Sequence, residues 1–428
     1  MIMRRLLILA ALVAAHAPLS AQEEDLFLKA NPSMTPRLRA ALDIIKADNA
    51  WTLEQQRTIC QIPAPPFKEQ ARALEMKRRF ETLGYKTYID SIGNVIAEKR
   101  GDGSWPKLVV AGHLDTVFPE GTDVTVKTTG TRMKAPGMSD DCRGLAVMLS
   151  VARAYARAQI ETKCTIYFVA NVGEEVPGNL RGTRHLFQRT LKDSIDAFIS
   201  VDGAGSVGNV TTHGVGSIRY KVTFKGPGGH SYGAFGTPNP IHALGRAISM
   251  IGDVVVPSSP KTTFNVGVIE GGTSVNSIPF SGAMEIDMRS VTEAELKKVD
   301  AQVLAILAKA RDAENTRWNA TDPAKKISFT IDTIGIRPAN SSQTDNMPIV
   351  AAAAKAAKEL GITQMRYGAS STDANYPMSI GVPAITVNGG GSSAGAHSLD
   401  EWYDDGADGF IGPQFTAILI AIIVGVKG

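Results

Sequence analysis

The order of apolar and polar positions along the chain predicts helices and strands that alternate over much of its length. Apolar residues recur at helical spacing in residues 35–58 and 67–83, which predicts two helices. Two short strands are predicted within 86–99, and further strands at 106–112, 162–171 and 196–203. Helices are predicted between these later strands, at 142–158 and 180–191. Strands that alternate with helices indicate an α/β unit with a mostly parallel sheet.

The pattern changes near Gly214 and changes back after residue 332. Between these points the predicted order is strand, helix, two strands, helix, strand. This β-α-β-β-α-β order is that of a ferredoxin-like α+β domain. A helix at 346–361 and a strand at 383–391 then resume the α/β pattern. We therefore predict one α/β domain, residues 22–213 and 333–428, that is interrupted by a second domain at 214–332.

The beginning of the chain has the pattern of an exported protein. Arg4 and Arg5 precede an apolar run from Leu6 to Ala15, and small residues surround Ala21. This predicts a signal peptide at residues 1–21. The apolar run is short for a membrane span, although an uncleaved anchor is the alternative. We expect a periplasmic or secreted protein without stable membrane association after cleavage.

Composition adds three constraints to this picture. The chain has 428 residues, of which 43% are hydrophobic and 20% charged, which is typical of a folded protein. The net charge is only +3 and no long basic run occurs, so no nucleic-acid partner is expected. The three cysteines, Cys60, Cys142 and Cys164, match no zinc or redox spacing. One disulfide is possible in an oxidising compartment, but we expect buried, unpaired thiols.

Histidines and acidic residues follow the predicted strands of the α/β domain. They are His113 and Asp115 after 106–112, Glu174 and Glu175 after 162–171, Asp202 in 196–203, His397 after 383–391, and Asp140 and Asp141 directly before helix 142–158. Taken singly, such a histidine is usually structural, and either aspartate of the pair could cap the helix. However, the carboxyl ends of parallel strands form one ligand-binding edge. So many carboxylates need neutralisation there, which a pair of divalent cations bound by nitrogen and oxygen would supply.

The motifs around these residues carry a family resemblance. GHLDTV (112–117), DDxxG (140–144), GEE (173–175), VDG (201–203), GGHS (228–231) and AH (396–397) occur in that order. With them the chain resembles the co-catalytic di-zinc exopeptidases, which include peptidase T, glutamate carboxypeptidase, aminoacylase and succinyl-diaminopimelate desuccinylase. The resemblance extends from about residue 55 to the C-terminus and is greatest to peptidase T-like proteins. It implies a zinc-exopeptidase-like catalytic domain with an inserted lid or dimerisation domain.

The resemblance implies a role for each residue at the sheet edge. His113 and Asp202 would bind one Zn²⁺, Glu175 and His397 the other, and Asp140 would bridge both, with Co²⁺ or Mn²⁺ as possible substitutes. Asp141 would support the site. Asp115 would orient the His113 ring without binding metal. Glu174 resembles the general base that takes a proton from the attacking water.

The lid and a glycine turn carry further candidates by the same resemblance. His230 would stabilise the oxyanion, often across a homodimer formed through the lids. Asn276 and Arg289 resemble residues that bind the substrate carboxylate, although a turn residue and a surface ion pair are the alternatives. Gly390 could present its backbone N–H to the substrate. His185, His213 and His242 match no ligand position and are expected to be structural.

The sequence leaves three functions open. A zinc exopeptidase that acts as an aminopeptidase, dipeptidase or tripeptidase on short peptides is preferred, because Asp202 is an aspartate as in the tripeptidase and dipeptidase branch. The alternative is an amidohydrolase that removes the acyl group from an N-acyl amino acid. A non-catalytic binding protein is the third possibility. A thiol at Cys142 beside the metal site would make the activity sensitive to oxidation.

Overall fold

The computed structural model describes residues 34–102, 104–343 and 347–427. The predicted signal peptide at residues 1–21 lies outside the described residues. Among the described residues, no helix combines the length and the apolar character that a membrane crossing requires.

An eight-stranded sheet forms the centre of the larger domain, and strands are numbered here in chain order. Across the sheet they are β1 (Lys86–Ile89), β2 (Val95–Lys99), β6 (Cys164–Asn171), β3 (Ser104–His113), β7 (Ala197–Val201), β16 (Ala384–Val387), β8 (Asn209–Gly214) and β15 (Arg366–Ser370). The central strands β6, β3, β7 and β16 are parallel, whereas β1 and β2 pair antiparallel at one side. The predicted mostly parallel α/β sheet is therefore confirmed.

Helices cover both faces of this sheet. One face packs against α1 (Pro36–Ala47), α2 (Asn49–Cys60), α3 (Gln70–Thr82), α4 (Cys142–Arg157), α8 (Pro348–Glu359) and α10 (Ile411–Val424). The other face packs against α5 (Arg181–His185), the π-helical turn Leu186–Thr190 and α9 (Asn375–Ser379). Side chains alternate along each strand, so Leu108 and Val110 of β3 enter the first core while Val109 and Ala111 enter the second.

A separate four-stranded sheet forms the lid domain. Its strands lie in the order β11 (Thr262–Gly271), β13 (Ser281–Ser290), β9 (Gly216–Lys225) and β14 (Ser328–Arg337), all antiparallel. Helices α6 (Pro240–Gly252) and α7 (Glu293–Arg317) pack against one face. The chain order β9, α6, β11, β13, α7, β14 is the predicted ferredoxin-like order. Strand β14 runs past residue 332 and ends at Arg337.

The register of the lid sheet decides which side chains face away from its helices. On β9, Val222 and Phe224 enter the helix-covered core, so Ser217 and Arg219 lie on the opposite face. The pairing of β14 with β9 shifts between Thr333 and Gly335, after which Arg337 pairs with Ser217. A bulge of this kind changes which side chains point to each face. It brings Arg337 to the face that carries Arg219.

The two segments that connect the lid to the larger domain lie side by side. The N–H of Gly214 donates to the carbonyl of Asn340 at 2.8 Å, and the N–H of Asn340 donates back at 2.9 Å. The remaining elements are the sheet of β17 (Ser392–Ala394), β18 (Trp402–Asp404), β5 (Arg132–Lys134) and β4 (Lys127–Thr129), the pair β10 (Gly229–His230) and β12 (Ser277–Ile278), and the 3₁₀ turn Pro323–Lys325.

A disulfide joins the end of α2 to the beginning of α4. Cys60 and Cys142 are bonded, with their Cα atoms 5.5 Å apart, a usual separation for a disulfide. The expectation of unpaired thiols is therefore wrong for these two residues, and the sulfur beside Asp140 is not a thiol. Cys164 is buried in β6 outside this bond.

Candidate active site

The catalytic-domain candidates converge at the carboxyl edge of the central strands. His113 is the last residue of β3, Glu174 and Glu175 follow β6, and Asp202 follows β7. Loops bring Asp140 and His397 to the same edge, where all but His113 line a cleft of about 670 Å³. Residues of β9, β13 and β14 form the opposite wall of this cleft.

Three overlapping groups of side chains at this edge have the spacing of metal ligands, with one potential ligand atom per residue within 4.8 Å of the others. Two of them share Asp140: His113, Asp140 and Asp202 form one, and Asp140, Glu175 and His397 form the other. The third consists of His113, Glu174 and Glu175. Asp140 places Oδ1 at 2.8 Å from His113 Nε2 and Oδ2 at 3.1 Å from His397 Nε2. Tetrahedral ligands of Zn²⁺ lie roughly 3.3 Å apart. The donor set therefore fits two divalent cations on either side of the Asp140 carboxylate.

The charges at this edge also require cations. Burial and the neighbouring Asp140 raise the pKa of Asp202 well above its ordinary value. Hydrogen bonds to Asp140 and Glu175 raise the pKa of His397 to about 10. Burial would lower the pKa of His113, but hydrogen bonds and charges of nearby aspartates outweigh it and raise that pKa well above its usual range. The buried carboxylates at this edge therefore need positive charge close to them, which imidazolium groups or bound cations can supply.

Asp115 contacts the His113 ring through a different group from the one predicted from the sequence. The ring Nδ1 of His113 lies 3.0 Å from the backbone carbonyl of Asp115 but 3.7 Å from its carboxylate. The carboxylate instead accepts from the backbone N–H groups of Glu174, at 3.0 Å, and Glu175, at 2.9 Å. The carbonyl of Asp115 therefore orients the ring, because a carbonyl can only accept and Nδ1 must donate. Its carboxylate fixes the turn that carries both glutamates.

The loop that holds Asp140 is anchored by two further acids. Asp141 caps α4, accepting from the N–H of Gly144 at 2.9 Å, and also accepts from the N–H of His113 at 3.1 Å. Glu401 accepts from the N–H of Asp140 at 3.0 Å. It also accepts from backbone N–H groups of the residues before Asp140. Sequence reasoning missed Glu401, which no motif or strand end singles out.

Glu174 differs from the other residues of these groups because it is paired with a buried arginine. Arg337 Nη1 donates to Glu174 Oε1 at 2.9 Å, and Nη2 donates to the Glu174 backbone carbonyl. Both side chains are buried. Burial raises the pKa of Glu174 to about 8, although the charge of Arg337 opposes this. Arg337 was missed by the sequence analysis, since it lies in the lid strand, far from any catalytic motif.

The structure places the candidate site residues of the lid at two different locations. Arg289 lines the cleft and its Nε donates to Asp287 Oδ2 at 2.6 Å. His230 and Asn276 are exposed neighbours elsewhere on the lid, where the N–H of Ser231 donates to the Asn276 carbonyl at 2.9 Å. The structure does not bring them into the cleft lining. Their predicted roles therefore stay predictions.

Gly390 also lies outside the cleft lining. Its φ is +81°, and a Cβ there would lie 2.7 Å from the backbone nitrogen of Gly412. The residue is buried against the beginning of α10 rather than presented to a substrate. The histidines expected to be structural have partners outside the cleft: His185 with Ser91, His213 with Thr212, and His242 near Glu314.

Comparison with known proteins places the chain in a family. The family model of peptidase family M20/M25/M40 matches residues 109–415, which is more than half of the chain. The chain belongs to this family. The M20 protein is 24% identical over 355 residues to the putative succinyl-diaminopimelate desuccinylase of Mycobacterium tuberculosis, covering 82% of this chain and 92% of that protein. It is 26% identical over 352 residues to YqjE of Bacillus subtilis, covering 78% and 89%.

Solved structures share the fold of the M20 protein at low identity. Aminopeptidase PepT of Bacillus cereus has a TM-score of 0.67 at 19% identity, covering 87% of this chain and 97% of that one. The dipeptidase Dug1p of Saccharomyces cerevisiae has a TM-score of 0.71 at 16% identity, covering 90% and 98%. YXEP of Bacillus subtilis, a dinuclear metal-binding peptidase, has a TM-score of 0.64 at 19% identity, covering 89% and 100%.

Family membership makes the M20 protein a hydrolase of peptide or amide bonds. Enzymes of the family bind two metal ions, and the two groups that share Asp140 are the candidate ligands in this chain. The binding-protein alternative is therefore disfavoured.

Proposed function

We propose that the M20 protein is a dinuclear zinc exopeptidase that hydrolyses short peptides as an aminopeptidase, dipeptidase or tripeptidase. One observation carries this proposal: each carboxylate oxygen of Asp140 faces a different histidine, and Glu174 lies beside this arrangement. We also propose that the chain is exported. The N-terminal pattern supports export, and the Cys60–Cys142 disulfide is of a kind that persists in oxidising compartments.

Each residue at the sheet edge would have a distinct role in the reaction. His113 and Asp202 would hold one Zn²⁺, Glu175 and His397 the other, and Asp140 would hold both. When bound, the ions would polarise the scissile carbonyl and lower the pKa of a water molecule. Glu174 takes a proton from the attacking water and later gives it to the leaving amine. Arg337 keeps the Glu174 carboxylate in place through its charged hydrogen bond.

The lid supplies substrate contacts in this proposal. Arg289 already lines the cleft and suits the terminal carboxylate of a substrate. His230 and Asn276 are exposed neighbours on the lid, so a second copy of the chain could receive them. We therefore propose that a homodimer formed through the lids carries His230 and Asn276 to the partner's cleft.

A deacylase that acts on N-acyl amino acids is the second candidate. It is favoured by the similarity to the putative succinyl-diaminopimelate desuccinylase. The same ligands and the same Glu174 would serve this reaction, because only the group on the carbonyl side of the amide differs.

The test is hydrolysis of a panel of dipeptides, tripeptides and N-acyl amino acids by the purified protein. It is run before chelation, after chelation and after zinc restoration. Glu174→Gln removes the base, and Glu120→Gln, an exposed residue paired with Lys68, is the matched control. Release of N-terminal residues that requires zinc and Glu174 would support the exopeptidase. Cleavage of N-acyl amino acids alone would favour the deacylase. No turnover and no zinc binding would reject both.

A further inference from the structure

The wall of the cleft opposite the metal-ligand candidates is rich in arginine. Arg219 of β9, Arg289 of β13 and Arg337 of β14 all line it. In the register of the sheet, Arg219 pairs with Asp287, while Arg289 and Arg337 both pair with Ser217. The three guanidinium groups therefore belong to adjacent strands on the same face of the lid sheet.

Among the described residues, the hydrogen bonds of these guanidinium groups are incomplete, and Asp287 Oδ1 beside Arg219 also has no hydrogen-bond partner. Arg337 is engaged by Glu174. Asp287 is shared, since Arg289 Nε lies 2.6 Å from its Oδ2 and Arg219 Nε lies 2.7 Å from its Oδ1. Arg219 is only 8% exposed. Its Nη1 has no hydrogen-bond partner among the described residues.

A second buried donor lies next to Arg219. Ser217, two residues earlier on β9 and fully buried, also has an Oγ without a hydrogen-bond partner among the described residues, but it is not among the residues that line the cleft. Leaving a buried charged donor without an acceptor is costly, so such groups usually have one. Burial and the charges of Arg289 and Arg337 lower the pKa of Arg219, although Asp287 opposes this. This electrostatic environment favours a bound anion.

We propose that Arg219 forms a second anion subsite beside Arg289, and that the enzyme prefers substrates in which an acidic residue follows the scissile bond. Arg289 takes the terminal carboxylate and Arg219 takes the side-chain carboxylate. Diagonal neighbours on adjacent antiparallel strands have Cα atoms about 7–8 Å apart, so one small dicarboxylate can reach both. This inference rests on the proposed function, because it names the substrate class of that site.

The test compares substrates that differ only in an acid or an amide. Alanyl-glutamate is compared with alanyl-glutamine, and N-acetylglutamate with N-acetylglutamine. A hydrogen bond to a charged group predicts that kcat/KM of the zinc-loaded wild type favours the acid by about 10- to 100-fold. Arg219→Gln should abolish this preference by lowering kcat/KM for the acid far more than for the amide. Arg219→Lys should retain part of it, because lysine keeps the charge but not the planar fork.

Lys221→Gln is the matched control, because Lys221 is a partly exposed cation on the same face of β9 that pairs with Glu270. It should leave the preference unchanged. Equal rates on acid and amide in the wild type would overturn the proposal. Equal losses on both substrates in Arg219→Gln would also overturn it, and melting temperatures exclude a folding defect.

Binding separates this inference from the proposed function. Glutamate and glutamine are titrated calorimetrically into the zinc-treated wild type and Arg219→Gln. Tighter binding of glutamate that depends on Arg219, without turnover of any substrate, would keep the anion subsite and reject the exopeptidase. Turnover with equal binding of glutamate and glutamine would keep the exopeptidase and reject the subsite.

Discussion

Removal of the Cys60–Cys142 disulfide should destabilise the large domain strongly. The two cysteines are 82 positions apart in the sequence. In the chain-entropy treatment, closing a loop of this length lowers the free energy of the folded state relative to the unfolded chain by about 4.5 kcal/mol at 25 °C. Both side chains are buried, so replacing them by alanine adds only a small packing loss. We expect Cys60→Ala/Cys142→Ala to lower the free energy of unfolding by about 5 kcal/mol.

The assay is urea unfolding followed by circular dichroism, with chelator present so that bound metal does not add to stability. Wild type is measured with and without reductant beside the double variant. Cys164→Ala is the matched control, because Cys164 is a buried cysteine outside the bond. Its unfolding should remain sensitive to reductant. Titration of the denatured, unreduced wild type should find one thiol per chain.

The same perturbation should reach the metal site. Cys142 is the first residue of α4 and lies two residues after Asp140, so the cross-link restrains the loop that carries the bridging carboxylate. Zinc affinity, measured by competition with a chromophoric chelator, should fall in the double variant. Three thiols in the denatured wild type, or equal urea midpoints with and without reductant, would refute the reasoning.

Three other substitutions have definite expected outcomes. His397→Ala should lower bound zinc from about two ions per chain to one, because His397 belongs to only one ligand group. Metal analysis after gel filtration measures this, and two retained ions would contradict it. Asp115→Ala should lower the free energy of unfolding in urea by about 2–4 kcal/mol, because two buried N–H groups lose their acceptor; an unchanged midpoint would argue against that role. Gly144→Ala should lower the melting temperature sharply, because the added Cβ would lie 2.0 Å from the carbonyl oxygen of Val201. Gly245→Ala is the control: the space around this position is open, so the substitution should be neutral or slightly stabilising.

The sheet-edge residues could be predicted because their chemistry is local in sequence. His113 and Asp202 come at the ends of apolar runs, and those runs predict parallel strands whose carboxyl ends meet. Glu174 and Glu175 follow β6 in the same way. A strand end fixes where a side chain emerges, so the grouping followed from the strand pattern.

Other features depend on contacts between distant segments, which the apolar pattern does not encode. The bulge between Thr333 and Gly335 is invisible in the alternation of β14, yet it decides that Arg337 faces Glu174. The disulfide forms because the last residue of α2 lies next to the first residue of α4. Gly390 looked like a ligand-binding turn, but its neighbour is the backbone of α10.

The bridge between Gly214 and Asn340 makes the lid an exchangeable unit of the chain. Because the entry and exit of the lid are hydrogen-bonded to each other, a short linker could close the gap left by excision, and an unrelated module could be grafted at the same place. Recombination at this point would exchange the arginine wall while the sheet that carries the acids stays intact. Substrate choice can therefore diversify by exchange of this domain, provided that the new domain supplies a partner for Glu174 in the place of Arg337.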